Sequence, residues 1–146
     1  PWALLWEDEN YYLIGYDSKH KEMRHYRVDK MVKISCLESK REGMETFEKL
    51  NMAEYTRKNF GMFTGEEEVV KLEVHNRLIG VILDRFGTDV MIIPADSEHF
   101  RVNVKVSVSN QFFGWLFGLG SDVRILAPEN EVNRMKEEIR KMENQY

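Results

Sequence analysis

The segment of residues 100–108 constrains the fold most, because apolar and polar residues alternate along it without a break. Phe100, Val102, Val104, Val106 and Val108 fall on one face, and Arg101, Asn103, Lys105 and Ser107 fall on the other. A period of two is the pattern of a β-strand that buries one side. The segment therefore predicts a sheet with one face buried under helices and the other face left for a partner or for solvent.

The segments around this strand predict the rest of one module. Residues 69–75 alternate as a strand, and Asn76 is placed to cap a helix over residues 77–86. The further predicted elements are a strand at 88–94, a helix capped by Ser109 or Asn110 and running to Leu119, a strand at 122–127, and a final helix that starts at Pro128. The order β-α-β-β-α-β is ferredoxin-like. The module is thus predicted to be ferredoxin-like with a C-terminal helix.

The first part of the chain predicts a second kind of module. Short apolar or aromatic runs at residues 2–6, 11–16, 22–28 and 31–37 are separated by polar turns. Strands joined by such short turns must be antiparallel, so they predict a small SH3- or Sm-like β-barrel. Cys36 lies in the fourth run and is expected to be buried and inert. The predicted fold class is therefore α+β.

Between the modules the sequence predicts a boundary. Residues 38–50 are charged and weakly patterned, which indicates a loop, and Asn51 is placed to cap a helix that ends near Asn59. The predicted division is a first domain at 1–60, a linker at 61–68 that includes a solvated run of three glutamates, and a second domain at 69–146.

Composition narrows the functional classes. The chain carries 21 Lys and Arg against 25 Asp and Glu, a formal net charge of −4, so any polyanion site should be small and local. A single cysteine excludes an internal disulfide and a multi-cysteine metal site. No apolar run is long enough to span a bilayer, and no signal segment opens the sequence. These features predict a cytoplasmic chain without a metal or cofactor.

Two segments of the first module carry a family resemblance. Tyr11-Tyr12-Leu13 and the run from Arg24 to Met31 (RHYRVDKM) resemble the WYL domain pattern. Tyr11 stands where that pattern has its tryptophan, and Lys30 where arginine is usual. Later segments, among them Trp115 to Gly120 and Ala127-Pro128, resemble the C-terminal extension of WYL domains, termed WCX. On this resemblance the first domain is partial, because the opening strand of the barrel would precede Pro1.

The resemblance implies a function and its partners. WYL domains with this extension occur in bacterial helix-turn-helix transcriptional regulators. The chain would be the ligand-sensing region, working as a homodimer and controlling a DNA-binding domain that is N-terminal to it and not in this sequence. The implied ligand is a nucleotide or a short single-stranded nucleic acid, and the implied protein is not an enzyme.

The same resemblance directs attention to a set of candidate ligand-binding residues. Arg24 and Arg27 are expected to hold phosphate, because guanidinium forks suit it, and Tyr12 or Tyr26 to offer a stacking surface for a base. His25 and Lys30 would join them. Further contacts from the second module are His75 and Arg77. The alternative is that the arginines pair with Asp29 or are solvated. Because they lie three apart, they cannot share one flat strand face.

Two functions therefore compete. One is a ligand sensor, which requires guanidinium groups that are free to receive an anion. The other is a structural dimerisation module that binds no ligand. An enzyme is the least favoured, since the sequence has no nucleophile elbow, P-loop or dinucleotide fingerprint.

Overall fold

The computed structural model describes residues 1–60 and 66–146. It forms two compact units, Pro1–Thr56 and Arg57–Tyr146. Each unit carries its own antiparallel sheet, so the predicted α+β class is confirmed. The boundary between the units lies between Thr56 and Arg57, and Phe60 belongs to the core of the second unit. None of the helices in these two stretches is both long and apolar enough to cross a membrane.

The first unit is built on three strands in the order β1-β2-β3. They are β1 (Ala3–Glu7), β2 (Asn10–Asp17) and β3 (Glu22–Arg27), followed by helices α1 (Met44–Glu48) and α2 (Met52–Lys58). A 3₁₀ turn at Val28–Lys30 ends the meander. The predicted cap of α2 is confirmed, because Asn51 Oδ1 accepts hydrogen bonds from the backbone N–H groups of Ala53, at 3.1 Å, and Glu54, at 3.3 Å.

Three predictions for this unit are wrong. Residues 31–37 form no strand; Val32, Ile34 and Leu37 are exposed, and so is Cys36, which was expected to be buried. A strand is stable only beside a partner, and residues 31–37 pair with none of the three strands of this sheet. Residues 38–50 are not wholly a loop, since α1 lies within them.

The second unit is a four-stranded sheet in the order β5-β6-β4-β7, in which every neighbouring pair is antiparallel. Its elements are β4 (Glu66–His75), α3 (Ile79–Phe86), β5 (Ile92–Pro94), β6 (His99–Val108), α4 (Asn110–Gly118), β7 (Val123–Ala127) and α5 (Glu129–Glu143). This order is the one that two split βαβ units generate. The predicted ferredoxin-like module with a C-terminal helix is confirmed.

The core of this unit lies on the face that the alternation of β6 predicted. Phe100 and the four valines at alternate positions are buried, as are Val70, Leu72 and Val74 of β4. Helices α3 and α4 cover them with Ile82, Phe86, Phe112, Phe113 and Leu116. On the opposite face, which we term the open face, Arg101, Asn103 and Lys105 are exposed. Ser107 is an exception there, because it is buried although a wet position was predicted.

Several boundaries differ from the prediction. β4 begins at Glu66, so the three glutamates assigned to the linker belong to a strand, where Glu67 pairs with Lys105 at 3.1 Å. Residues 61–65 of that linker lie outside the described residues. β5 has three residues instead of seven. The turn before α3 is capped by the His75 side chain rather than by Asn76, whereas Ser109 caps α4 as expected.

Candidate functional site

The pairing of β2 with β3 divides the predicted ligand-binding residues between the two faces of the first sheet. Tyr12 lies opposite Arg27, Leu13 opposite Tyr26 and Gly15 opposite Arg24, in a continuous register. Directly paired residues share a face, and faces alternate along each strand. The outer face carries Leu4, Trp6, Tyr11, Leu13, Arg24 and Tyr26, and the inner face carries Leu5, Tyr12, Ile14, His25 and Arg27. The separation of the two arginines is thus confirmed.

On the inner face, Tyr12 and His25 are tied into the packing. Tyr12 is buried, so its ring offers no open surface for stacking. His25 Nε2 lies 2.5 Å from the Tyr55 hydroxyl of α2. Burial lowers the pKa of His25 and, with the charge of Glu22 adding a smaller effect, raises the pKa of Tyr55 to about 12. Both groups are therefore neutral near pH 7, and the hydroxyl donates to the imidazole.

This hydrogen bond predicts a pH-dependent stability of the first unit. Because the pKa of His25 is lower in the folded chain than the value of about 6.5 in an unfolded one, acid favours the unfolded state. Stability should be fully present above about pH 6.5 and should fall as the pH drops toward the folded pKa. Urea unfolding followed by amide exchange in β3, from about pH 7 to about pH 5, measures the loss.

His25→Gln is the matched control, since glutamine can accept the Tyr55 proton but does not titrate. The variant should lose less stability than the wild type over the same range, because the other histidines are unchanged. Equal losses in the two proteins would show that His25 is not the origin of the acid sensitivity.

Arg27, also on the inner face, is held by an acidic neighbour. Its Nε and Nη2 atoms donate to the two oxygens of Asp29, each at 2.9 Å, and Nη2 also donates to Asn10 Oδ1 at 2.6 Å. The hydrogen bond from Arg27 lowers the pKa of Asp29. Lys30 Nζ lies 3.5 Å from the same carboxylate. The guanidinium group of Arg27 is thus hydrogen-bonded within the protein.

Arg24, on the outer face, is paired as well. Its Nε donates to Glu22 at 2.7 Å, and its Nη1 lies 3.5 Å from Asp17. The alternative of arginines paired with internal carboxylates is therefore what the structure shows for both residues. All of these groups are partly exposed, and ion pairs in contact with water contribute little to stability. An incoming phosphate can replace such a carboxylate at small cost.

The outer face also carries aromatic side chains: Tyr26 lies one row along the strands from Arg24, and Trp6 and Tyr11 lie one row beyond Tyr26. Trp6 is 59% exposed, Tyr11 51% and Tyr26 41%. The Trp6 and Tyr11 rings meet edge to face at 4.7 Å, and the Tyr26 ring lies over Gly15, where a Cβ atom would be 3.4 Å from it. Exposed rings next to a guanidinium group are the elements that single-stranded nucleic-acid sites combine.

The sequence-based hypothesis included Tyr26 but not Trp6 or Tyr11. The signal that indicates them is the apolar character of both faces of β1 and β2. A strand at the surface usually has apolar residues on its buried face and polar residues on its solvent-exposed face. Large apolar side chains on both faces therefore indicate an apolar surface in addition to the core.

In the second unit, His75 and Arg77 are engaged in local structure. His75 Nδ1 accepts the backbone N–H of Arg77 at 3.2 Å, and the Arg77 side chain donates to Asp122 through Nε at 2.6 Å. The His75 ring also meets that of His99, with ring centroids 5.4 Å apart. Within residues 1–60 and 66–146, no three His, Cys, Asp or Glu side chains are grouped to hold a metal ion.

Comparison with known families identifies both modules. Residues 66–142 match the model of the WCX domain, which is more than half of the chain. The chain belongs to the WCX family. Residues 1–36 match the model of the WYL domain, so this WCX protein joins the two domains in the expected order. The two matches support a regulatory domain of a transcriptional regulator.

Comparisons with individual proteins add less. No curated protein sequence matches the chain. One solved structure that matches the chain is the proteasome accessory factor B/C (PafBC) of Arthrobacter aurescens, with 20% sequence identity and a TM-score of 0.48. The match covers 99% of this chain and 21% of that one, so the chain spans about a fifth of the length of its neighbour.

Proposed function

We propose that this chain is the ligand-sensing region of a transcriptional regulator and binds a nucleotide or a short single-stranded nucleic acid on the outer face of its WYL sheet. The WYL and WCX matches support the regulatory role. The observation that carries the ligand class is the set of exposed rings on this face, with Tyr26 one row from Arg24 and the Trp6–Tyr11 pair one row beyond Tyr26. The chain acts by binding, not by catalysis.

Binding at this face combines two interactions. A phosphate group takes a place at the Arg24 guanidinium and displaces Glu22, whose side chain is exposed, or Asp17, which keeps its hydrogen bonds with Lys19 and His20. A base stacks on Tyr26 or on the Trp6–Tyr11 pair, for which the expected gain is about 1–3 kcal/mol per base. The proposal keeps Arg24 and Tyr26 from the sequence-based hypothesis and adds Trp6 and Tyr11.

The regulatory step follows from differential affinity. A ligand shifts an equilibrium between two arrangements only as far as it binds one of them more tightly. In the proposed regulator these arrangements belong to a homodimer, and they set the positions of DNA-binding domains that are N-terminal to the present sequence.

A structural dimerisation module is the second candidate. It is favoured by the pairing of both arginines with internal carboxylates and by the apolar outer face, where Leu4 is exposed along with the rings. In this case the outer face packs against protein rather than against bases. Apparent mass would then rise with protein concentration, and ligand would have no effect on thermal stability.

The outer-face proposal predicts a loss of oligonucleotide binding in Tyr26→Ala. Fluorescence anisotropy with a labelled oligothymidylate of about ten nucleotides measures Kd. Removal of one stacking ring should raise Kd roughly five- to 150-fold, which corresponds to about 1–3 kcal/mol. Tyr146→Ala is the control, because Tyr146 is an exposed tyrosine at the C-terminus, and its Kd should equal that of the wild type.

A second pair of variants tests which face of the WYL sheet binds the ligand. Arg24→Gln should weaken binding, whereas Arg27→Gln, which removes a carboxylate-paired arginine from the inner face, should not. The reverse order would place the ligand on the inner face. An absence of binding by the wild-type chain, together with a mass that depends on concentration, would favour the dimerisation module.

A further inference from the structure

A buried carboxylate lies at the centre of the open face in the WCX unit. The strand register aligns Ile93, Arg101, Glu73 and Arg124 in one row across β5, β6, β4 and β7. Glu73 is only 7% exposed, although it lies on the face away from the core. The two arginines cover it from either side and keep their own outer atoms in solvent.

Each carboxylate oxygen of Glu73 orients one guanidinium group. Arg101 Nε donates to Oε2 at 3.0 Å, and Arg124 donates to Oε1 through Nε at 2.8 Å and through Nη2. The bonds from Arg124 and then from Arg101 lower the pKa of Glu73. Both forks are therefore fixed by an anion that stays charged, and the Nη groups of Arg101 have no partner among the described residues.

A second buried glutamate in the same unit has a single arginine as its charged partner. Glu131 of α5 is 1% exposed and is satisfied by one arginine, Arg134, at 3.0 Å, together with the amide of Asn130. A buried carboxylate needs its charge balanced and its oxygens bonded. Glu73 carries one negative charge against the two positive charges of Arg101 and Arg124, so this three-residue group has one positive charge in excess. Lys71, on the same face, adds another.

A polar cavity of about 280 Å³ opens beside Arg124. Its lining includes Glu73, Asp96, His99, Ser121 and Asp122. This volume is just below the range of about 300–1,000 Å³ that holds drug-sized ligands. A cavity of this size suits one sugar or one base. Carboxylate and hydroxyl oxygens accept hydrogen bonds from sugar hydroxyls and base amino groups.

From this geometry we infer that Arg101 and Arg124 bind a phosphate group, and that the adjoining cavity takes the sugar or base that carries it. Two fixed guanidinium groups with surplus charge present the forks that phosphate prefers. The site lies in the WCX unit and is independent of the outer face of the WYL sheet, so either site can fail without the other.

The test uses the full 146-residue chain and follows the Nε–Hε resonances of its arginines by NMR during titration with inorganic phosphate and with adenosine monophosphate. The resonances of Arg101 and Arg124 should shift saturably. Arg124→Gln should weaken phosphate binding about tenfold or more, as loss of a charge-assisted fork implies. Arg124→Lys keeps the charge and the pair with Glu73 but loses the planar fork, so it should also bind more weakly.

Arg140→Gln is the matched control, because it removes an exposed arginine on α5 of the same unit. It should leave phosphate binding unchanged. The inference is overturned if no saturable shift appears, if Arg140→Gln weakens binding as much as Arg124→Gln, or if Arg124→Lys binds as tightly as the wild type. Tighter binding of adenosine monophosphate than of phosphate supports the role of the cavity, and equal affinities overturn that role.

Discussion

Replacing Phe112 with alanine is expected to destabilise the second unit by about 3–5 kcal/mol, the usual cost of removing a large buried ring. Phe112 is fully buried on α4. Its ring centroid lies 5.3 Å from that of Phe60 and 5.9 Å from that of Phe113. Those rings are fixed between the helices and the sheet, so they cannot collapse fully into the space, and the cavity adds to the lost burial.

Urea unfolding measures this loss, with amide exchange in β6 to assign it to the second unit. Phe117→Ala is the matched control, because Phe117 is a phenylalanine on the same helix that is 40% exposed. It should cost much less, since its ring is already partly in water. Similar losses in the two variants would contradict the assignment of Phe112 to the core.

Gly43→Ala is expected to destabilise the first unit by about 2–5 kcal/mol. Gly43 precedes α1 with φ of 82°, in the left-handed region, where a side chain costs about 1–2 kcal/mol. An added Cβ atom would also lie 2.2 Å from Cγ of Tyr16. That atom is next to the backbone, so the ring cannot swing aside, and overpacking adds about 1–3 kcal/mol.

The control for this variant is the same substitution at Gly80. Gly80 lies inside α3, and a Cβ atom there would meet nothing within 4 Å. Gly80→Ala should therefore stabilise its helix by up to about 1 kcal/mol. The experiment compares the changes that the two substitutions make in the free energy of unfolding, and these changes are expected to have opposite signs. A Gly43→Ala variant as stable as the wild type would mean that α1 does not approach the sheet as described.

Local patterns in the sequence predicted most of the second unit correctly. The alternation of β6 located the core face, and Ser109 located the start of α4, because both depend on residues close together in the chain. The fourth strand of the first unit was predicted wrongly for the opposite reason. Residues 31–37 are apolar enough for a strand, but a strand also needs a neighbouring backbone, and the sequence does not reveal whether one is present.

The candidate sites show the same limit. The two-residue alternation of side chains along a β-strand was enough to place Arg24 and Arg27 on opposite faces, as the register of β2 with β3 confirms. Asp29 was named from the sequence as a possible partner, but the acceptors from another strand, Asn10 for Arg27 and Asp17 for Arg24, could not be assigned. The sequence could not predict the group formed by Glu73, Arg101 and Arg124. The two arginines are 28 and 51 positions from Glu73 in the chain, and they meet it only when β6 and β7 flank β4.

The exposed position of Cys36 has a consequence for the choice between sensor and dimer. It is the only cysteine of the chain, and an accessible thiol can couple two molecules through air oxidation. Covalent pairs of this origin would imitate self-association on a sizing column. Reductant, or a Cys36→Ser chain, is therefore required before any change in mass is attributed to the outer face. The same thiol gives one unique attachment point for a dye or a spin label in the first unit.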